Sequence, residues 1–262
     1  MSLISDQELE QVRSRADIVE VGRRLYARGL IAANEGNVSV RDGDSLWVTP
    51  AGICKGFLTP EMIVKTDLEG RCQGEGRAST EIAMHLAVYA RRPDVQAVVH
   101  AHPPTATGFA VAGLPLDRPL IAEAVVVIGE VPVVPYGTPS TRGLAENIGQ
   151  AICSAQALLM ANHGAVTVGE TVWRAWERME TLEQLAKVAL VTRILGQHNV
   201  LPAADVARLE ALRTSAGYPP PVCNLAASGA AVCPVADPGQ VVLSREELVR
   251  LVPQAVERFG RG

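Results

Sequence analysis

Two histidines one residue apart, His100 and His102, close the apolar run Val95-Gln96-Ala97-Val98-Val99. Valine and alanine around the pair predict a buried β-strand. Side chains two apart on a strand share a face, so the imidazoles stand together at a strand end. Burying two unpaired imidazoles costs desolvation free energy with no compensation unless something binds them. Metal ligation is the reading that supplies it. A third candidate, His163, lies in Met160-Ala161-Asn162-His163-Gly164, and a carboxylate, Glu81, follows Ser79-Thr80 at a helix start. Three neutral imidazoles with a carboxylate or water suit a catalytic zinc site with one open position. A carboxylate that can touch or leave such a metal can also carry a proton.

Two of the five histidines have ordinary explanations. His85 falls four residues after Glu81, on the same helix face, and is expected to pack or to support that carboxylate. His198 follows the end of a long helix, where a solvated imidazole is the default. Small-residue turns offer an anion cradle: Asn34-Glu35-Gly36-Asn37-Val38-Ser39, Thr49-Pro50-Ala51-Gly52, and the hydroxyls of Ser79 and Thr80 at a helix start. Backbone N–H groups there attract phosphate or carboxylate, although no dinucleotide or P-loop fingerprint is present. Lys55 and Lys65 have no context for Schiff-base chemistry and are expected on the surface or in loops. Tyr136, beside Pro135, is expected to pack at a strand end.

These residues need elements to position them. Residues 6–28 carry apolar positions near helical spacing and end at Gly29. Residues 37–48 alternate around Asp42-Gly43, a hairpin signal. Thr59-Pro60-Glu61 opens a short helix before a strand at 63–66, and 70–76 is a loop. Residues 79–91 are predicted helical, stopping before Pro93. The His100 strand follows, then a proline-initiated helix to Gly113. Residues 125–134 are strand-like but broken at Gly129 and Pro132. Residues 140–154 form a helix, 157–168 a strand pair around His163-Gly164, and 171–195 a long helix. From Gly217 to Gly239 periodicity disappears, as in a linker or draped tail. Ser244-Arg245-Glu246-Glu247 resembles a capping box for a short terminal helix.

A net charge of −4 with no basic stripe argues against nucleic acid as a partner. No apolar stretch approaches the roughly 20 residues that cross a bilayer, and the first residues are too polar for a signal peptide. Membrane partners are therefore not expected. The five cysteines are scattered, odd in number and without a C-x-x-C pair. A reducing cytoplasm fits that pattern better than a disulfide framework.

The pieces Gly36-Asn37-Val38-Ser39, Thr49-Pro50-Ala51-Gly52, Ser79-Thr80-Glu81, Val99-His100-Ala101-His102, Pro135-Tyr136 and Asn162-His163-Gly164 occur in one order. In this the chain resembles the class II aldolase/adducin-head family over residues 18–195. The resemblance implies an α/β fold, three-layer α/β/α with a central, mainly antiparallel sheet. It implies a catalytic domain over residues 1–215, leaving 216–262 as a linker and short helix. It also implies a homotetramer with active sites between neighbouring subunits. His100, His102 and His163 would hold a divalent metal (Zn2+, or Mn2+ or Co2+), Glu81 would be the acid/base, and Asn37, Gly52, Ser79 and Thr80 would match phosphate-binding positions.

Ala51 and Thr80 depart from the family's Thr and Ser, and the segment 119–127 lacks the family aldolase's tyrosine. Glu123, or Tyr218 from the tail, could stand in for it. The implied reaction is retro-aldol cleavage of a ketose, in particular a ketose phosphate, through a metal-stabilised enediolate. The alternative is decarboxylation of a β-keto acid with the same electron sink. A 4-epimerase is disfavoured because epimerases of the family carry Asp where Glu81 stands. A non-catalytic adducin-like interaction domain has no use for an open metal site. A cupin-like oxygenase would need a Glu within a few residues of His102, where Pro103-Pro104-Thr105-Ala106 stands instead.

Overall fold

The apolar run ahead of the two histidines is the central strand of a seven-stranded sheet. In chain order the elements are α1 (Asp6–Ala27), β1 (Asn37–Asp42), β2 (Ser45–Val48), β3 (Val64–Asp67), α2 (Ile82–Arg91), β4 (Ala97–Ala101), α3 (Pro104–Val111), α4 (Ala122–Val127), β5 (Val133–Val134), α5 (Arg142–Ala151), β6 (Ala157–Met160), β7 (Gly164–Gly169), α6 (Val172–Leu195) and α7 (Ala203–Arg213). Two 3-10 turns, Lys55–Phe57 and Pro60–Met62, precede β3. This is a computed structural model, and it describes residues 5–224.

The strand order is β3-β2-β1-β4-β7-β6-β5. Every pairing is antiparallel except β5 with β6. In β4 all five residues are buried, which explains why it reads as a continuous apolar run rather than an alternating one. Alternation survives as a choice between two cores. Ala97, Val99 and Ala101 join one cluster with Ile18, Val21 and Leu25 of α1, Phe109 of α3 and Met179 and Leu182 of α6. Val98 points the other way, into a cluster with Met84 and Val88 of α2 and Leu144 and Ile148 of α5. The sheet is the middle of three layers. By the same parity His100 lies on the face that α2 covers, and α2 begins at Glu81.

Three elements differ from the sequence expectation. Residues 122–127 are helical, not strand, and β5 has only two residues. Ala124, Val127 and Ile128 are buried in one cluster at i, i+3, i+4 spacing. Burying such side chains contributes about 1.5–3 kcal/mol each, against a few tenths for the poor helix propensity of valine. The second difference is α7, which the sequence pattern did not announce; none of its residues is fully buried, so it has no strong apolar stripe to read. Third, Cys153 and Cys223 form a disulfide with Cα atoms 5.1 Å apart, contrary to the expectation of free thiols. Seventy residues separate them, a distance at which spacing carries no pairing information.

The chain past residue 215 continues along the body. Gln156 donates to the Pro219 carbonyl (3.2 Å), and the Asn224 N–H to that of Arg91 (2.7 Å). The helix expected after Ser244 lies outside the described residues. No helix among the described residues is long and apolar enough to cross a membrane.

Candidate active site

His100, at the C-terminal end of β4, is paired in register with Asn37 of β1 and Val166 of β7. Its ring is fully buried and its Nδ1 lies 2.9 Å from the Ala165 carbonyl. A carbonyl only accepts, so Nδ1 carries the ring proton and Nε2 presents a lone pair. His102 follows the strand, with Nδ1 3.3 Å from a carboxylate oxygen of Glu35, and its Nε2 is 3.1 Å from that of His100. His163 sits in the turn between β6 and β7, where Asn162 adopts a left-handed φ of 55° and Gly164 lets the chain approach His102. A Cβ at Gly164 would stand 2.5 Å from His102 Cδ2.

The three rings meet edge to face with centroids 4.9–5.1 Å apart, and one ligand atom from each lies within 4.8 Å of the others.

Glu81 completes the cluster. Its Oε2 is 3.3 Å from His100 Nε2 and its Oε1 3.2 Å from His163 Nε2. The Asn37 side-chain amide donates to Oε2 at 2.9 Å, and the Glu81 N–H donates to the Ser79 hydroxyl at 3.3 Å. Burial pushes the carboxyl up, but the His100 and His163 imidazoles outweigh it and hold the group well below the usual carboxylate range.

Imidazole lone pairs and carboxylate oxygens thus face a common centre. Acceptors crowded in this way repel unless a cation lies between them. The donor set, imidazole nitrogen with one carboxylate, is the one divalent zinc takes. The residues present fit such an ion.

Behind the cluster, His85 contacts Asn37 Oδ1 through Nε2 and the Ser39 hydroxyl through Nδ1 (2.6 Å). Ser39 also meets the Tyr89 hydroxyl at 2.8 Å. His85 is fully buried, and desolvation, reinforced by the nearby His100, pushes its pKa down to about 3. A neutral His85 therefore orients Asn37, which orients Glu81; of the two roles expected for it, support of the carboxylate is realised.

The two anion-cradle turns are tied together. Thr49 O accepts from Ser79 N (3.1 Å), and Ala51 N donates to Arg77 O (2.9 Å). Gly52 and Thr80 are exposed along these turns, while Ser79 is buried beside Glu81. Asn37 is only 2% exposed, with its amide engaged by Glu81 and His85. A cleft of about 190 Å³ opens beside Glu81, lined by Ala83, Met84, Ser140, Thr141 and Leu144.

Other expectations are corrected. Lys55 is not a surface residue: it is 3% exposed, and its Nζ donates to the Asn34 and Ile53 carbonyls (2.7 and 2.9 Å). Tyr136 is 59% exposed rather than packed. Tyr218 is not a free tail residue: it is buried, and its hydroxyl donates to Glu177 (2.7 Å) and accepts from Arg174 (2.7 Å). Its neighbour Arg178 donates to Val168 O, at the end of β7 remote from Gly164. Glu123 is exposed on α4. His198 is exposed as expected, meeting Arg118 at 2.6 Å. Glu35 and Lys55 were missed as parts of the site. An acidic residue inside a turn read as an anion cradle was the available signal for Glu35.

The fold and this cluster match known proteins. Residues 16–190 match the Class II Aldolase and Adducin N-terminal domain family, and the chain belongs to that family. It is 34% identical over 215 residues to the 3-oxo-tetronate 4-phosphate decarboxylase of Pectobacterium atrosepticum, covering 79% of this chain and 95% of the relative. It is also 34% identical over 175 residues to the L-fuculose phosphate aldolase of Methanococcus maripaludis, covering 66% and 93%. Among solved structures it is similar to L-fuculose-1-phosphate aldolase from Thermus thermophilus, with TM-score 0.65 and 36% identity, covering 72% of this chain and 99% of that one. The relatives so named are aldolases and decarboxylases, both of them lyases.

Proposed function

We propose that the chain is a metal-dependent lyase that cleaves a ketose phosphate by a retro-aldol reaction. The observation that carries this reading is the convergence of three imidazole nitrogens on the Glu81 carboxylate. His100, His102 and His163 hold the ion, Zn2+ or another divalent metal such as Mn2+ or Co2+. When bound there, a divalent cation supplies Lewis-acid stabilisation of the charge that builds on the substrate's enediolate. Glu81, oriented by Asn37 and His85, carries the proton that the enediolate carbon gains. Held ionised at rest, it is first loaded by a proton from the substrate hydroxyl or from solvent. Gly52, Ser79 and Thr80 offer backbone N–H groups and hydroxyls to the phosphate, with Asn37 at the inner edge of the site. The phosphorylated substrates named for the relatives support that subsite.

One observation favours a second reading, decarboxylation of a phosphorylated 3-oxo acid. The match to the decarboxylase runs over 215 residues, against 175 for the aldolase. Decarboxylation also needs no second acid for a departing aldehyde, and neither Tyr218 nor Tyr136 is packed beside the histidines. A homotetramer in the cytoplasm remains the expected setting. The exposed apolar end of α6 (Leu190, Val191, Ile194 and Leu195) supports self-association.

The test is product analysis of metal-loaded protein. Ketose 1-phosphates giving dihydroxyacetone phosphate support the aldolase, and CO2 released from a 3-oxo acid phosphate supports the decarboxylase. Under either reading Glu81→Gln lowers kcat by at least about 10²-fold with metal content unchanged. Full activity in Glu81→Gln removes it from the mechanism.

A further inference from the structure

The imidazole ring that most needs fixing is His102. It lies past the end of β4, outside the strand that holds His100, and its side chain is 22% exposed where that of His100 is fully buried. The other nitrogen of each histidine meets a different environment. His100 Nδ1 faces a backbone carbonyl. His163 Nδ1 is buried with no hydrogen-bond partner among the described residues. His102 Nδ1 alone faces a charged side chain, the Glu35 carboxylate at 3.3 Å.

Glu35 is itself held in place. The oxygen that faces His102, Oε2, accepts from the Ala32 N–H at 3.2 Å, and the Glu35 N–H donates to Ala32 O at 3.0 Å. The preceding carbonyl, Asn34 O, is anchored by the buried ammonium of Lys55 at 2.7 Å. The start of the same turn reaches the metal strand directly, since His102 N donates to Leu30 O at 3.0 Å. At its end Gly36 has φ 69°, and a Cβ there would lie 2.8 Å from His100 O. The turn from Leu30 to Gly36 is thus docked on His100–His102 at both ends and buttressed from below. Its one acid is directed at the ring of His102.

We propose that Glu35 is a positioning residue of the metal centre. Its carboxylate keeps the His102 proton on Nδ1, turns Nε2 toward the ion and makes that nitrogen a better donor. This inference rests on the metal reading of the three histidines. Carboxylate partners of metal-bound imidazoles contribute about 10- to 100-fold in metal affinity.

The experiment is zinc competition against a chromophoric chelator for the native chain, Glu35→Ala, Glu35→Gln and Glu35→Asp. Thermal melting of the metal-free proteins serves as the control for folding. Glu35→Ala is expected to bind zinc about 10- to 100-fold more weakly with unchanged metal-free melting. Glu35→Gln should fall between it and the native chain, and Glu35→Asp should regain part of the loss. Co2+ in place of zinc should show a shifted visible spectrum in Glu35→Ala, because one ligand is reoriented. A Glu35→Ala chain that binds zinc as tightly as the native one overturns the role of Glu35 and leaves the metal centre standing. An affinity that falls only in step with a lowered metal-free melting temperature overturns that role as well. Native protein that takes up no zinc overturns the metal centre and this inference together.

Discussion

Acid should destabilise this protein through His85, a residue that touches no metal ligand. The unfolded imidazole takes up its proton near pH 6.5, the buried one only near pH 3. Between these values the unfolded chain binds more protons, so stability falls as the pH falls. From pH 7.5 to pH 5 the loss from this group is about 2 kcal/mol. The figure is set by the unfolded pKa and needs only that the folded value lie well below 5.

The perturbation is His85→Gln, whose amide can donate toward Asn37 and accept from Ser39 as the ring does. The assay is urea unfolding of metal-free protein at pH 7.5, 6.5 and 5.0, at one chain concentration. The native chain should lose about 2 kcal/mol more than His85→Gln over that range, whatever the variant's starting stability. Equal losses would mean that His85 charges inside the fold, and its assignment as a neutral support for Asn37 would fail.

Gly164→Ala puts a Cβ 2.5 Å from His102 Cδ2 and 2.6 Å from Ala101 O. It should displace His102 and reduce zinc affinity, read by chelator competition. Lys55→Met leaves the Asn34 and Ile53 carbonyls without their donor, at about 1–3 kcal/mol each, and should lower the urea midpoint. It should also weaken zinc binding, because the turn that carries Glu35 loses its anchor.

The centre of the fold was legible because burial leaves strong marks on sequence. The run 97–101, the Asp42-Gly43 hairpin, the strand pair around His163 and the long helix ending at Leu195 lie where their periodicity and punctuation put them. His100, His102, His163 and Glu81 converge as their types and order suggested. What stayed illegible depends on tertiary context. Val125-Val126-Val127-Ile128 has strand composition, yet its burial at helical spacing decides for a helix. Lys55 reads as a surface residue until two backbone carbonyls are brought around its ammonium. The Cys153–Cys223 pairing and the seat of Tyr218 on α6 require knowing how the chain after α7 runs back along the body. Glu35 was hidden because turn composition describes backbone and says nothing about where one acid points.

The mechanism depends on three imidazoles sharing one cation. Zinc content of the native chain and of His100→Ala, after loading and exhaustive dialysis, is the sharpest check on that. About one ion should remain per native chain, and most of it should be lost in the variant. A native chain that retains no zinc, or a His100→Ala chain that retains as much as the native one, would show that the three rings do not form a metal centre.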